Sequence, residues 1–247
     1  PKRHTFGKMT MEILDMDGNL VANLSPGKRK GINTVEWSFN SMAPVIASGK
    51  TFAQGGMVAP RVQAGKYKVV ITKGKSKFDT EIEVKYPENS VFTLEERKQQ
   101  HETTMKLYKM NEDLAYMVYQ LDTYTDHARM IAKKESKMTK QANKLVSELE
   151  ALKATLVITT GDNYVGRAEN QLRENLGDIY STIANYYGAP TATQLENVQL
   201  MENKLMKATE KFKGLQDGSM KKYDVKLDKM EIEKPKIKSY EDFTKKD

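Results

Sequence analysis

Cysteine is absent from all 247 residues, so the chain has neither a disulfide framework nor a thiol nucleophile. It also lacks any apolar run near the ~18 residues that a bilayer-crossing helix requires. No signal-peptide pattern stands at Pro1, and a chain opening on PKRHTFGK without Met is expected to be a processed product or a fragment of something longer. Histidine is limited to three residues and tryptophan to one. Glycine and proline are missing over a long stretch: after Pro87 there is no glycine before Gly161 and no proline before Pro190. A segment without helix breakers on this scale is expected to be helical.

The charge is unevenly placed. Residues 1–86 hold 14 Lys+Arg against 7 Asp+Glu, while residues 87–247 hold 26 of each, so the whole net charge of +7 belongs to the first part. Such a surface is by default a solvated basic face; the sharper reading is a patch for an acidic partner such as a polyanionic glycan or a membrane surface. Nucleic acid is not indicated, because the lysines are spread along strand-like runs and no binding motif accompanies them.

Hydrophobic periodicity changes near residue 87. Before it, Met9, Met11 and Ile13 alternate, LVANL follows, and GINTVEWSF places Ile32, Val35, Trp37 and Phe39 in near-alternation. KYKVVITKGKSKFDTEIEVKY reads as two strands around Lys73-Gly74-Lys75, with Tyr67, Val69, Ile71, Phe78, Ile82 and Val84 inward. Short strands at this spacing predict an antiparallel sandwich. After residue 87 the period lengthens. Leu107, Leu114, Leu121 and Ala128 recur at seven, as do Met110, Met117, Tyr124 and Ile131, and the rows continue through Met138, Ala142, Leu145, Leu149, Leu152 and Leu156. One helix over both segments would be about 90 Å long, so a turn is expected near Lys133 to Lys137. A third helix carries Leu172, Leu176, Ile179, Ile183 and Tyr187 and should stop at Gly188 and Pro190. A fourth opens on the capping box Thr191-x-x-Gln194 and turns Leu195, Val198, Leu205, Phe212 and Leu215 inward.

The carboxylates and histidines are the candidates for chemistry. DMDGNL, Asp15 to Leu20, resembles a calcium loop in composition, but counting from Asp15 puts Gly18 at position 4 and Pro26 at position 12, where an EF-hand needs glycine at 6 and glutamate at 12. Between two apolar alternations the stretch predicts a hairpin turn, with Gly18 and Asn19 suited to positive φ. His4 lies near the N-terminus. His101 opens HETT, but Met105 stands where a zincin's second histidine would be. His127 beside Asp126 suits a cap or surface pair. Glu95-Glu96, Glu148-Glu150 and Glu231-Glu233 fall on helix faces or in the tail, not across a cleft as glycoside hydrolysis demands. No catalytic residue, metal ligand or cofactor is assigned.

The runs KMTMEILDMDGNLVANL, KGINTVEWSF and APRVQAGKYKVVIT resemble the Ig-like module of flagellar hook-capping proteins and of many secreted Bacteroidetes proteins. Gly31, Asn33, Val35 and Trp37 match its G-x-N-x-V-x-W pattern. Gly65, Tyr67 and Val69 match P-G-x-Y-x-V, with Ala64 in place of proline. HETTMKLY, LEALKATL and YYGAPTATQLENV are similar to the C-terminal helical region of sortilin-like, BNR-repeat β-propeller proteins that carry glycosyl hydrolase labels. The resemblance spans most of residues 9–215. No Asp-box, S-x-D-x-G-x-T-W, occurs here, so the resemblance implies the end of a longer polypeptide whose propeller is missing, placed in the periplasm, at the cell surface or outside the cell.

The expected fold is therefore α+β in two domains: an Ig-like antiparallel β-sandwich (1–87), an antiparallel bundle of about four helices (88–218) and an extended lysine-rich tail (219–247). The expected function is a non-catalytic structural and protein-interaction region of a secreted or cell-surface β-propeller protein, in an envelope complex. Its partner would be the missing propeller, another subunit of the complex, or both. The tail would lie along the bundle or reach a partner chain, with Val225, Leu227, Met230, Ile232 and Ile237 supplying the apolar, partner-binding contacts. Two alternatives stand beside it: glycan binding by the basic sandwich, with Trp37 or exposed tyrosines as stacking platforms, and completion of a hydrolase active site in the propeller.

Overall fold

A computed structural model describes residues 7–51, 55–160 and 169–246. His4 and most of the TTGDN loop lie outside the described residues. Helix and sheet are both present, as expected, and the chain separates into two compact units.

The first unit comprises the described residues within Pro1–Ala43, Ala59–His101 and Tyr187–Ala189. Its strands are β1 (Met9–Leu14), β2 (Leu20–Leu24), β3 (Gly65–Lys73) and β4 (Ser76–Val84), which pair antiparallel in the order β2-β1-β3-β4. Ile13 stands opposite Ala22 on one side and Val69 on the other, so these three share a face and form a small core. Met11, Leu24, Trp37, Tyr67 and Ile82 pack around it. The indole of Trp37 meets Phe39 and Tyr67 edge-on, at centroid distances of 5.2 and 5.6 Å, and its Nε1–H donates to the Asn40 carbonyl at 2.9 Å.

Asp15 to Asn19 form the turn that joins β1 to β2. Gly18 takes φ +89°. The Asp15 carboxylate accepts from the Asp17 and Asn19 amides at 3.0 and 2.8 Å and from the Asn19 side-chain amide at 2.8 Å. Burial is the largest single influence and raises the carboxyl, but these bonds together outweigh it and hold it below its ordinary pKa. The hairpin expected at DMDGNL is thus present, with positive φ carried by Gly18 alone of the two candidates.

The strand expected over residues 31–39 does not form. The segment has no regular pairing; beyond it, Asn40 bridges to Arg61. Instead, Gly31 at φ +97° and Asn33 shape a loop: the Asn33 amide donates to the Arg29 and Gly31 carbonyls and its Oδ1 accepts from the Arg29 amide. Ile32 is fully exposed, Phe39 has φ +56° and is half exposed, and Phe78 is largely exposed on β4. Of the alternating set in this segment, Trp37 is the residue packed against the sheet core. The described residues contain one sheet where a sandwich of two was expected.

Helix α1 (Leu94–Lys134) opens on a capping box in which Thr93 Oγ1 accepts from the Glu96 amide and the Glu96 carboxylate accepts from the Thr93 amide. Its first eight residues, 94–101, cluster with the sheet-bearing unit. There the Arg97 guanidinium lies 4.4 Å from the Tyr86 ring centroid and donates to Ser90 Oγ at 2.7 Å. The division between units consequently falls at His101/Glu102 and not at residue 87.

The second unit takes in the described residues within Pro44–Val58, Glu102–Tyr186 and Pro190–Asp247. It contains the rest of α1 with α2 (Thr139–Lys153), α3 (Leu172–Ala184), α4 (Ala192–Leu215), α5 (Lys221–Lys229) and α6 (Tyr240–Thr244). The two heptad rows form its core: Leu107, Leu114, Leu121, Ala128, Met110, Met117 and Ile131 are all buried, and the row continues through Met138 to Leu156. The chain leaves helix between Lys134 and Thr139, at the expected turn, with the Thr139 hydroxyl donating to the Ala132 carbonyl. α3 ends at Asn185, ahead of Gly188, so Gly188 is not its cap. The Thr191–Gln194 capping box forms as expected, but Leu195 in the first turn of α4 is exposed while Val198, Leu205 and Phe212 are buried.

Pro44–Val58, placed with the sandwich by the sequence reading, packs in the helical unit. The Lys50 amide donates to the Ile158 carbonyl, Ser48 Oγ to Asp122 Oδ2, and buried Arg173 donates to the Thr51 carbonyl and hydroxyl. A turn of 3₁₀ helix at Gly55–Met57 lies so close to α3 that a Cβ on Gly55 would stand 2.4 Å from the Gly177 carbonyl oxygen. The tail also departs from expectation. A π-helical turn at Gln216–Met220 leads from α4 into α5, so residues 221–229 are helical and only the stretch between α5 and α6 is without regular structure. Tyr223 and Leu227, four apart and fully buried, supply the helical stripe that an alternating reading of this segment overlooks.

Candidate interaction surface

Residues 231–246 lie as a strap along α1, antiparallel to it. α1 presents a second stripe at spacings of three and four, beside its core rows: Tyr108, Glu112, Tyr116, Tyr119, Thr123 and His127. Glu233 meets His127, Lys238 meets Tyr116 and Tyr119, and Lys246 meets Tyr108 and Glu112.

The hinge end is fixed by His127. Its Nδ1 is 3.0 Å from the hydroxyl of buried Tyr223, and its Nε2 is 2.9 Å from the Glu233 carbonyl. A carbonyl can only accept, so the neutral ring must carry its proton on Nε2 and accept the Tyr223 O–H at Nδ1. His127 is therefore neither a cap nor a surface pair: it sits within α1 and ties α5 and the strap to it. Next to it, Tyr124 donates to Asp224 Oδ2 at 2.9 Å. Burial raises the Asp224 carboxyl, partly opposed by the Tyr124 bond and by Lys234, and burial likewise pushes both Tyr124 and Tyr223 well above the ordinary phenol range. Glu231, where the strap begins, has φ +55°, which is strained for a side chain of its size. A groove of about 480 Å³ runs beside the hinge, lined by His127, Met130 and Lys134 of α1 and by Ile232, Pro235 and Lys236 of the strap.

Further along, the strap is gripped at its backbone. The Tyr116 hydroxyl donates to the Lys238 carbonyl at 2.8 Å and the Lys238 amide donates to the Tyr119 hydroxyl at 3.2 Å. Ser239 then caps α6 by accepting from the Asp242 amide. The helix lays Phe243 on Tyr119, stacked at 4.8 Å between centroids, and sets Tyr240 edge-on to Tyr116 at 5.3 Å. Lys109 donates to the Tyr240 hydroxyl at 2.9 Å. At the end, the Lys246 ammonium lies 3.2 Å from the Glu112 carboxylate and 4.5 Å from the Tyr108 ring centroid. Burial pushes Lys246 down to about 8. Burial also raises Glu112, against an opposing hydrogen bond from the Val45 amide.

The five residues assigned to partner contacts divide. Leu227 is fully buried in the helical core, Met230 and Ile232 pack against it, Ile237 is half-buried, and Val225 is exposed on α5. The carboxylate pairs do not converge. Glu96 is held by the α1 cap, Glu150 pairs with Arg129, Glu148 with Lys144, and Glu233 with Lys236. His101 stands in the third turn of α1, within the sheet-bearing unit, with Met105 on the next turn. Among the described residues no group of three His, Asp or Glu is arranged to hold a metal, and no helix is long and apolar enough to cross a membrane.

The tail does lie along the helical unit, one of the two placements expected of it, but the sequence reading did not foresee its grip. Its signals were the polar-aromatic stripe of α1 and the Ser239-x-x-Asp242 cap, which announces a helix inside a segment read as extended. Compared with known proteins, the chain matches no family model, no curated protein and no solved structure.

Proposed function

We propose that this chain is a non-catalytic structural and protein-interaction region of a larger secreted or cell-surface bacterial β-propeller protein, working within an envelope complex. One observation carries the reading: the polar side chains that could do chemistry are used to fix pieces of the chain itself. Both nitrogens of His127 are taken by Tyr223 and Glu233, Arg173 is taken by Thr51 and Glu174, and Glu112 is taken by Val45 and Lys246. Catalysis instead requires poised groups converging on a concave site. The Ig-like resemblance of the sheet-bearing unit supports the assignment to such a polypeptide, since Trp37 and Tyr67 of its motifs both pack on the sheet core.

Glycan binding by the basic sheet-bearing unit is the second reading. Phe78, exposed on β4 beside Lys77, favours it, while Trp37 is edge-packed and so poorly placed as a stacking platform. The deciding experiment compares the parent protein with and without residues 1–247, measuring turnover of sugars and peptides, glycan retention and copurifying envelope proteins. Loss of a copurifying protein at unchanged turnover is the expected result. Hydrolysis by residues 1–247 alone would overturn the reading, as would lost turnover with the complex intact.

A further inference from the structure

We propose that the strap, residues 231–246, is an exchangeable arm that docks on α1 of a second copy of this chain, giving a domain-swapped dimer. The inference goes beyond the function proposed above and needs no propeller. Three features carry it. The strap is joined to the bundle through Glu231, whose φ of +55° is relieved if the segment swings out. Between Glu231 and the α6 cap at Ser239 the chain has no regular secondary structure and contains Pro235, so it has reach without breaking any helix. The arm docks on side chains of one helix: His127, Tyr116, Tyr119, Lys109 and Glu112 of α1. Another copy offers the same face, so the hydrogen bonds and ring stacking broken when the arm opens re-form when it exchanges. This is why swapping is a low-cost route to dimers. The heptad core does not depend on the arm; of the arm's residues, only Ile232 and Phe243 pack against it, from its edge.

The absence of native cysteine makes exchange directly readable in the full 247-residue chain. Tyr119→Cys and Phe243→Cys variants, whose rings stack in the parent, are mixed at high concentration, incubated and oxidised. A covalent heterodimer on non-reducing gels, absent when either variant is oxidised alone, is the expected result. The double variant in one chain should close within the monomer at low concentration and across the dimer at high concentration. Glu231→Gly relaxes the hinge in the closed form and should lower the dimer fraction about fivefold or more, as expected for at least about 1 kcal/mol of relieved strain. No heterodimer from the mixture, or a double variant that closes only within the monomer at every concentration, overturns the proposal. So does a double variant that forms no disulfide at all, since the arm is then not seated on Tyr119.

Discussion

Replacing Tyr223 by phenylalanine isolates one hydrogen bond at the junction of α1, α5 and the strap. The ring is fully buried and would stay in place, so no cavity opens and the change removes only the O–H that His127 Nδ1 accepts at 3.0 Å. A net intramolecular hydrogen bond is worth about 0.5–1.5 kcal/mol, and an acceptor left buried without a partner costs about 1–3 kcal/mol. His127 is only half-buried, so water can reach part of the orphaned ring and the total should sit near the low end, about 1–1.5 kcal/mol. For a unit of this size that lowers Tm by about 2–6 °C. Tyr223→Ala, which also empties the ring's volume, should cost about 3–5 kcal/mol. The specific claim is the pairing, and a double-mutant cycle with His127→Ala tests it. Denaturant unfolding of the four proteins should give a coupling of about 0.5–1.5 kcal/mol. A Tyr223→Phe protein as stable as the parent, with zero coupling, would refute the bond.

Gly55→Ala should destabilise the helical unit by about 1–3 kcal/mol in thermal melts, because its new Cβ would lie 2.4 Å from the Gly177 carbonyl oxygen and backbone must shift. Asp15 is more acidic in the folded hairpin than in the unfolded chain, so its contribution is complete above the ordinary carboxylate pKa and fades as pH falls through the lowered value. Asp15→Ala should flatten that acid limb, and calcium should leave the parent's Tm unchanged. Lys246 is depressed to about 8, so between that pH and about 10.4 the unfolded chain holds more of this proton than the folded one, and strap protection in hydrogen exchange should rise across the window. Glu112 at 3.2 Å opposes this by favouring the charged amine, and Lys246→Met should abolish the pH dependence.

What could be read from the sequence was the periodic part. Leu107 to Ile131 and Met138 to Leu156 fall where their spacing places them, because one helix face must be apolar wherever a bundle is to be buried. The Thr191 cap was legible for a similar reason: orphan amides at a helix start need a nearby oxygen, and the residue three on can return the bond. GINTVEWSF misled because alternation marks a strand only if a neighbour supplies the ladder. Here Gly31 and Asn33 commit the backbone to a loop, and Trp37 reaches the sheet core from it. Pro44–Val58 carries no strong period, and its allegiance is decided by long-range bonds to Ile158, Asp122 and Arg173 that no local pattern encodes. The strap belongs to the same class. Of the five residues singled out for the tail only Ile232 and Ile237 lie in the strap, and its grip comes from tyrosines and a histidine on α1, more than a hundred residues earlier in the chain.

The π-helical turn between α4 and α5 gives the chain a spare residue. Along α4 the buried positions advance by three and four, from Val198 through Met201, Leu205 and Ala208 to Phe212. Leu215 continues the row, but the next buried residue is Met220, five further on, and Tyr223 and Leu227 then resume the ordinary spacing. Were the turn to relax into α-helix, everything beyond it would rotate by about 100°, and Ser219, Lys222 and Lys226 would face the core in place of Met220, Tyr223 and Leu227. Removing one residue, Gly218 for instance, would let an unbroken α-helix form and keep that phase, whereas removing a second would destroy it. Length tolerance at this joint is therefore one-sided and quantised, and a chain of this type that differs here by a single deletion can share the same core without sharing the bulge.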